Sequence, residues 1–257
     1  GDVYKRQADD DEDFIFNVST VPLAARADLE VLEPVNATQN KDTKVMSISI
    51  MNGSTSGNAP HGLNKAEANA FTYWQYVDTL VYWGGSSGEG LIVAPSPDIV
   101  DAGHKNGVKV IGTVFMPQAA HGGKIEWLDD LLQKREDGSY PVVDKLIEVA
   151  QLYGFDGWFI NQESEEGLTK DHADRMQEFL AYFKQQAPEL ELIYYDSMTV
   201  DGEMDWQNAL TEKNAPYMKD AEGNDVADSM FLNFWLTTDS LAPEELLKTS
   251  AELAAEK

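Results

Sequence analysis

From Val45 onward the sequence alternates short, continuous apolar runs with amphipathic stretches of helical period, and few folds accommodate that rhythm. Val45–Met51, Thr79–Trp83, Val108–Met116, Gly157–Ile160, Leu190–Tyr195 and Met230–Leu236 are β-branched, aromatic and too short for helices. They predict six buried strands. Between them, Ser96-Pro97 predicts the capped start of a helix that Gly107 closes. Pro141 opens another, with Val142, Leu146 and Val149 on one face and Gly154 as its stop. Thr169 caps a third, in which Met176, Phe179, Leu180 and Phe183 recur at helical spacing before Pro188. A last helix is expected over Pro243–Glu256. Continuous apolar strands alternating with one-faced helices mean parallel βαβ units. No Gly-rich phosphate loop follows the first strand, which weighs against a doubly wound nucleotide-binding sheet. The expected fold is α/β, a (β/α)8 TIM-type barrel that is incomplete here, with about six of its βα units present. An open six-stranded sheet is the structural alternative.

Composition removes several function classes. The 257 residues carry 45 Asp and Glu against 19 Lys and Arg, a formal charge of −26, and a surface this negative repels phosphate. A nucleic-acid or anionic-membrane partner is therefore not expected. With no cysteine there is no disulfide, thiolate metal site or cysteine nucleophile. No apolar run approaches the ~18 residues of a membrane span, and no basic start with an apolar stretch marks a secretory signal. Gly1–Gln7 lack periodicity and read as adaptor-like sequence, and Asp9–Asp13 is an acidic run without calcium-loop spacing. Residues 1–15 are thus expected to be a disordered tail, and 16–257 the partial barrel domain.

The strongest chemical signal is Tyr153–Ser164, YGFDGWFINQES. A helix ends at Gly154, a strand runs through Trp158–Ile160, and Asn161, Gln162 and Glu163 emerge where a barrel strand meets its active-site loop. Strand alternation puts Asn161 and Glu163 on the same side. An amide beside a carboxyl suits hydrolysis of a 2-acetamido sugar. The substrate's acetamide oxygen attacks the anomeric carbon while Asn161 orients that acetamide, and Glu163 serves as acid and then base. The bland alternative is that both residues cap the next helix and face water. By spacing alone the two readings stand level.

Tyr153–Ser164 resembles the active-site strand of glycoside hydrolase family 85, the endo-β-N-acetylglucosaminidases, which carry an Asn-x-Glu pair there. Phe71–Gly85, Pro95–Pro117, Ile193–Asn214 and Phe231–Trp235 also resemble that family, in its order. The resemblance implies that Asn161 orients the acetamide and that Glu163 is the general acid/base. It implies Tyr195 as the tyrosine that hydrogen-bonds near the reacting acetamide, and Trp206, Phe234 and Trp235 as residues lining the sugar cleft. Trp83, at the end of the second strand, is a further candidate sugar platform. The implied reaction is retaining hydrolysis of the GlcNAc-β1,4-GlcNAc core of N-glycans, with transfer of the released glycan to other acceptors as a second outcome. The implied partners are N-glycans of glycoproteins, and no metal or organic cofactor is implied because the nucleophile belongs to the substrate. Such substrates point to an extracellular, secreted enzyme, with a cytoplasmic one as the alternative.

Other residues read as structural. Trp158 and Phe159, inside a strand, are expected in the core. His61, His104, His121 and His172 lack paired-ligand spacing, so surface or satisfied histidines are expected. Asp220–Asp225 reads as a solvated turn, Asp156 as a junction residue, and Asn52 with Gly53–Gly57 as a turn. Two competing readings remain. Asp156–Glu163 aligns in outline with the family 18 chitinase pattern D-G-x-D-x-D-x-E, but Phe159 and Asn161 occupy two of its acidic positions. The other is a glycan-binding barrel that does not cut.

Overall fold

In the computed structural model the described residues are 12–26, 38, 40, 42–50, 71–84, 90–233 and 244–256. Among these residues there are seven strands: β1 (Met46–Ser49), β2 (Thr79–Tyr82), β3 (Ile92–Val93), β4 (Lys109–Met116), β5 (Gly157–Gln162), β6 (Glu191–Tyr195) and β7 (Ser229–Phe231). Among the described residues five α-helices accompany them: α1 (Pro97–Lys105), α2 (Ile125–Leu131), α3 (Pro141–Tyr153), α4 (Lys170–Gln186) and α5 (Glu244–Glu256). The strand order is β1-β2-β4-β5-β6-β7, with β3 paired to β4. Pairs β1–β2, β2–β4 and β6–β7 are parallel, with Met46 opposite Thr79, Thr79 opposite Lys109, and Ile193 opposite Ser229. This is the order of successive units of a (β/α)8 barrel. The chain forms two compact units, Gly1–Thr113 with Glu148–Gly157, and Val114–Ile147 with Trp158–Lys257.

In the first unit, β2 is buried along its length, and Leu80, Val81, Val100, Val108, Val110 and Ile111 are fully enclosed. Continuous apolar strands are what a sheet covered on both faces requires. Helices α1 and α3 stop where Gly107 and Gly154 take φ of +69° and +77°. Pro97 sits in the first turn of α1, but the hydroxyl of Ser96, in the capping position, makes no cap hydrogen bond and is buried without a partner. The start signal there is the proline, whose fixed φ suits a first helical turn.

In the second unit, Met176, Phe179, Leu180 and Phe183 make one wholly buried stripe of α4. Each such side chain contributes about 1.5–3 kcal/mol of burial. The capping box of α4 pairs Thr169 with His172, whose Nδ1 accepts the Thr169 backbone N–H at 3.1 Å. Trp158 and Phe159 are core, as expected, with the Trp158 indole N–H donated to the Leu146 carbonyl at 3.0 Å. No described helix is long and apolar enough to cross a membrane.

Candidate active site

Burial along all of β5 delivers Asn161 and Glu163 to the strand's C-terminal end. The ladder continues one step past the strand, the Glu163 N–H reaching the Met116 carbonyl of β4 at 2.8 Å. Between the pair, Gln162 turns the other way and closes on Ser164, its Oε1 accepting the Ser164 N–H at 2.9 Å and its amide donating to the Ser164 carbonyl at 3.0 Å. Asn161 and Glu163 thus share a face, as period-two alternation demands.

Asn161 is buried, and its Oδ1 has no hydrogen-bond partner, which is unusual for an enclosed amide oxygen. Its amide group faces Glu163 and favours the charged carboxylate. Burial is the larger influence on Glu163 and holds its carboxyl above the usual range. His121 and Gln118 act with the Asn161 amide to lower it, and Glu165 acts with burial to raise it. The Gln118 amide donates to Glu163 Oε2 at 3.2 Å.

Tyr195 ends β6 and donates its hydroxyl to Asn233 Oδ1 at 2.9 Å. Burial, then the Glu163 and Asp196 charges, raise its pKa, so the phenol stays protonated. Phe159 and Phe231 pack on its ring, with centroids 6.4 and 5.7 Å away. The Trp206 indole N–H faces the Tyr195 hydroxyl without closing a hydrogen bond of good geometry.

Asp196 fixes the segment that carries Trp206. This buried carboxylate accepts the Gln207 and Asn208 backbone N–H groups at 3.2 and 2.7 Å, the Asn214 amide at 2.8 Å and the Asn233 N–H at 3.4 Å. Asn208, at φ +59°, gives its side-chain N–H to the Trp206 carbonyl at 3.0 Å. Its Oδ1 takes the Asn233 amide at 2.6 Å. Asn233 therefore joins Tyr195 to the Trp206 segment.

The second unit thus brings Asn161, Glu163, Tyr195 and Trp206 together. Trp83 belongs to the first unit, where it is half-buried and its N–H extends the β1–β2 ladder to Ser49. Phe234, Trp235, His61, Asn52 and Gly53–Gly57 lie outside the described residues. His104 and His172 are satisfied histidines, and Asp156 is the expected junction residue. Among the described residues no group of three or more His, Asp or Glu side chains could hold a metal ion. His121, exposed as expected, acts on Glu163. Gln118, Asp196, Asn208 and Asn233 escaped the sequence reading. Spacing carried no sign of them, because each reaches the site through a loop.

A carboxyl and an amide at the end of a parallel strand, among aromatic rings, make the arrangement of a barrel glycoside hydrolase. Residues 52–256 match the model of glycosyl hydrolase family 85, and the chain belongs to that family. It is 29% identical over its full length to cytosolic endo-beta-N-acetylglucosaminidase 2 of Arabidopsis thaliana, covering 33% of that protein. It is 30% identical over 88% of its length to the cytosolic endo-beta-N-acetylglucosaminidase of Danio rerio, covering 29% of it. It spans about a third of the length of these curated relatives. Among solved structures, the glycoside hydrolase domain of Spr0440, Endo-D from Streptococcus pneumoniae R6, superposes with a TM-score of 0.78. That match is 33% identical and covers 95% of this chain and 37% of the other. The family 18 alternative gives way to this membership.

Proposed function

We propose that the chain carries the catalytic residues of a retaining endo-β-N-acetylglucosaminidase that cleaves the GlcNAc-β1,4-GlcNAc core of N-glycans. The observation that carries this reading is the buried, unpartnered Oδ1 of Asn161 beside a Glu163 held above its usual pKa. An enclosed acceptor without a donor suits a ligand N–H, and the acetamide of a 2-acetamido sugar supplies one. With that N–H held by Asn161, the acetamide oxygen attacks the anomeric carbon and forms an oxazolinium ring, while Glu163 protonates the departing glycosidic oxygen. Water then opens the ring as Glu163 takes back a proton, and the two inversions together retain configuration. Another sugar hydroxyl in place of water gives glycan transfer. Tyr195 donates its O–H in a hydrogen bond to Asn233 and so offers its oxygen lone pairs to the acetamide region. Trp206, with Phe234 and Trp235 from the family resemblance, provides apolar faces for sugar rings. The reading assigns no step to a metal or cofactor, and residues 16–257 form its catalytic domain.

The curated relatives are named cytosolic, which supports a cytoplasmic setting and gives the secreted expectation no support. Mass spectrometry of ribonuclease B, a high-mannose glycoprotein, after incubation with the chain tests the reading. One GlcNAc left on the asparagine, and an intact glycan with Glu163→Gln, is the expected result. An intact glycan with both proteins contradicts it.

A further inference from the structure

The turn that follows β4 is built more tightly than a connection needs to be. The Gln118 carbonyl accepts the N–H groups of both His121 and Gly123 at 2.9 Å, and the Gly122 N–H returns to Ala119 at 2.9 Å. Gly122 takes φ +83°, and any side chain on Gly123 would run into the Pro117 carbonyl, so both positions require glycine. The turn is latched to the end of β5 at three points. Glu163 N–H bonds Met116 O at 2.8 Å, Ser164 Oγ bonds Pro117 O at 3.2 Å, and Ala119 N–H bonds Glu165 Oε2 at 3.2 Å. What this frame presents to Glu163 is a neutral donor, the Gln118 amide, 3.2 Å from Oε2.

We propose that Gln118 is a positioning residue for Glu163: its amide N–H holds Oε2 as the acceptor oxygen, fixes the carboxyl rotamer and reserves Oε1 for the transferable proton. The proposal rests on the acid/base reading of Glu163. A protonated carboxyl accepts best at its carbonyl oxygen, so a fixed donor on Oε2 selects the tautomer with the proton on Oε1. A carboxyl that must give a proton and later recover it works best with a pKa near the working pH. Burial pushes that value up and the amide restrains it. The other groups facing Glu163 are the Asn161 amide on β5, His121 on the same turn as Gln118, Glu165 on the following loop and Tyr195 on β6.

The test is a carbon-13 NMR titration of the Glu163 carboxyl in the full chain, assigned by its loss in Glu163→Gln. The pH profile of glycan release is run beside it. Gln118→Met keeps the side-chain length and removes the donor, and it is expected to raise the Glu163 pKa by about one unit. The alkaline limb of kcat/KM should move the same way, with kcat about tenfold lower and KM little changed. Gln118→Glu, the second variant if the first folds poorly, should raise the pKa further by placing a second carboxylate there. His121→Asn removes the imidazole's electrostatic influence on Glu163 from the comparison. A Glu163 titration that neither variant moves overturns the proposal, whatever the turnover. A moved titration in a chain that releases no glycan overturns the acid/base reading instead.

Discussion

Asp156 and Glu163 stand at opposite ends of β5, and their surroundings treat a carboxyl in opposite ways. Asp156 is a finished structural node. Its Oδ2 takes the His104 Nε2–H at 2.7 Å and the Val110 N–H at 2.8 Å, while His104 Nδ1 lies 2.6 Å from the Val21 carbonyl. The Val21 carbonyl and the Asp156 carboxylate both accept, so both ring nitrogens of His104 donate, the pattern of a protonated imidazole. Glu163 is held by side-chain amides and adjoins an oxygen that has no partner at all. Polar groups that hold a fold together are paired within the chain. Those that await a ligand are left short of partners, at a cost in stability.

Glu163→Gln should break the functional end alone, lowering glycan release by about 10²- to 10⁴-fold in a kinetic assay while circular dichroism stays unchanged. His104→Ala should break the structural end, leaving Asp156 without its cation. In urea unfolding it should cost about 2–3 kcal/mol, the low side of a broken buried pair because Asp156 is 19% exposed. Glu163 should titrate in that variant as in the native chain.

The pH dependence of this loss has a definite sign. Burial alone would lower the His104 pKa, but Asp156, the Val21 carbonyl and the Asp101 charge raise it above the ordinary 6.5. The stabilisation is therefore complete below about 6.5 and is lost as the pH rises through the raised native value, so the gap between native and variant narrows on the alkaline side. Glu163 also has a raised pKa, but as an acid it weakens the fold when it ionises. Glu163→Gln should thus match the native chain below the ordinary value of 4.5 and exceed its stability at neutral pH in the same unfolding experiment.

Much of the architecture was legible because the pattern was local. Pro97, Pro141 and Thr169 each marked a helix start within one residue, and Thr79–Tyr82 was readable as a strand buried on both faces. Helix α2 was missed because Lys124 at its start makes no capping bond and its seven residues hold two buried apolar positions, Leu128 and Leu131. Strand β3, two residues long, has no periodicity to read. At the site, alternation along one strand puts Asn161 and Glu163 on one side, but spacing left that reading level with a helix cap and the family resemblance decided between them. Gln118, Asp196 and Asn233 act across the ends of different strands, and only the folded chain shows which loops meet there.

On the function proposed above, Asn161 is left short of a partner so that it can hold a substrate acetamide. Calorimetric binding of a GlcNAc-derived thiazoline, whose ring nitrogen presents an N–H when bound protonated as the thiazolinium, is the sharpest test. The native chain should bind it, and Asn161→Ala at least tenfold more weakly, equivalent to about 1.4 kcal/mol for one buried hydrogen bond. Equal affinity in the two proteins would contradict it.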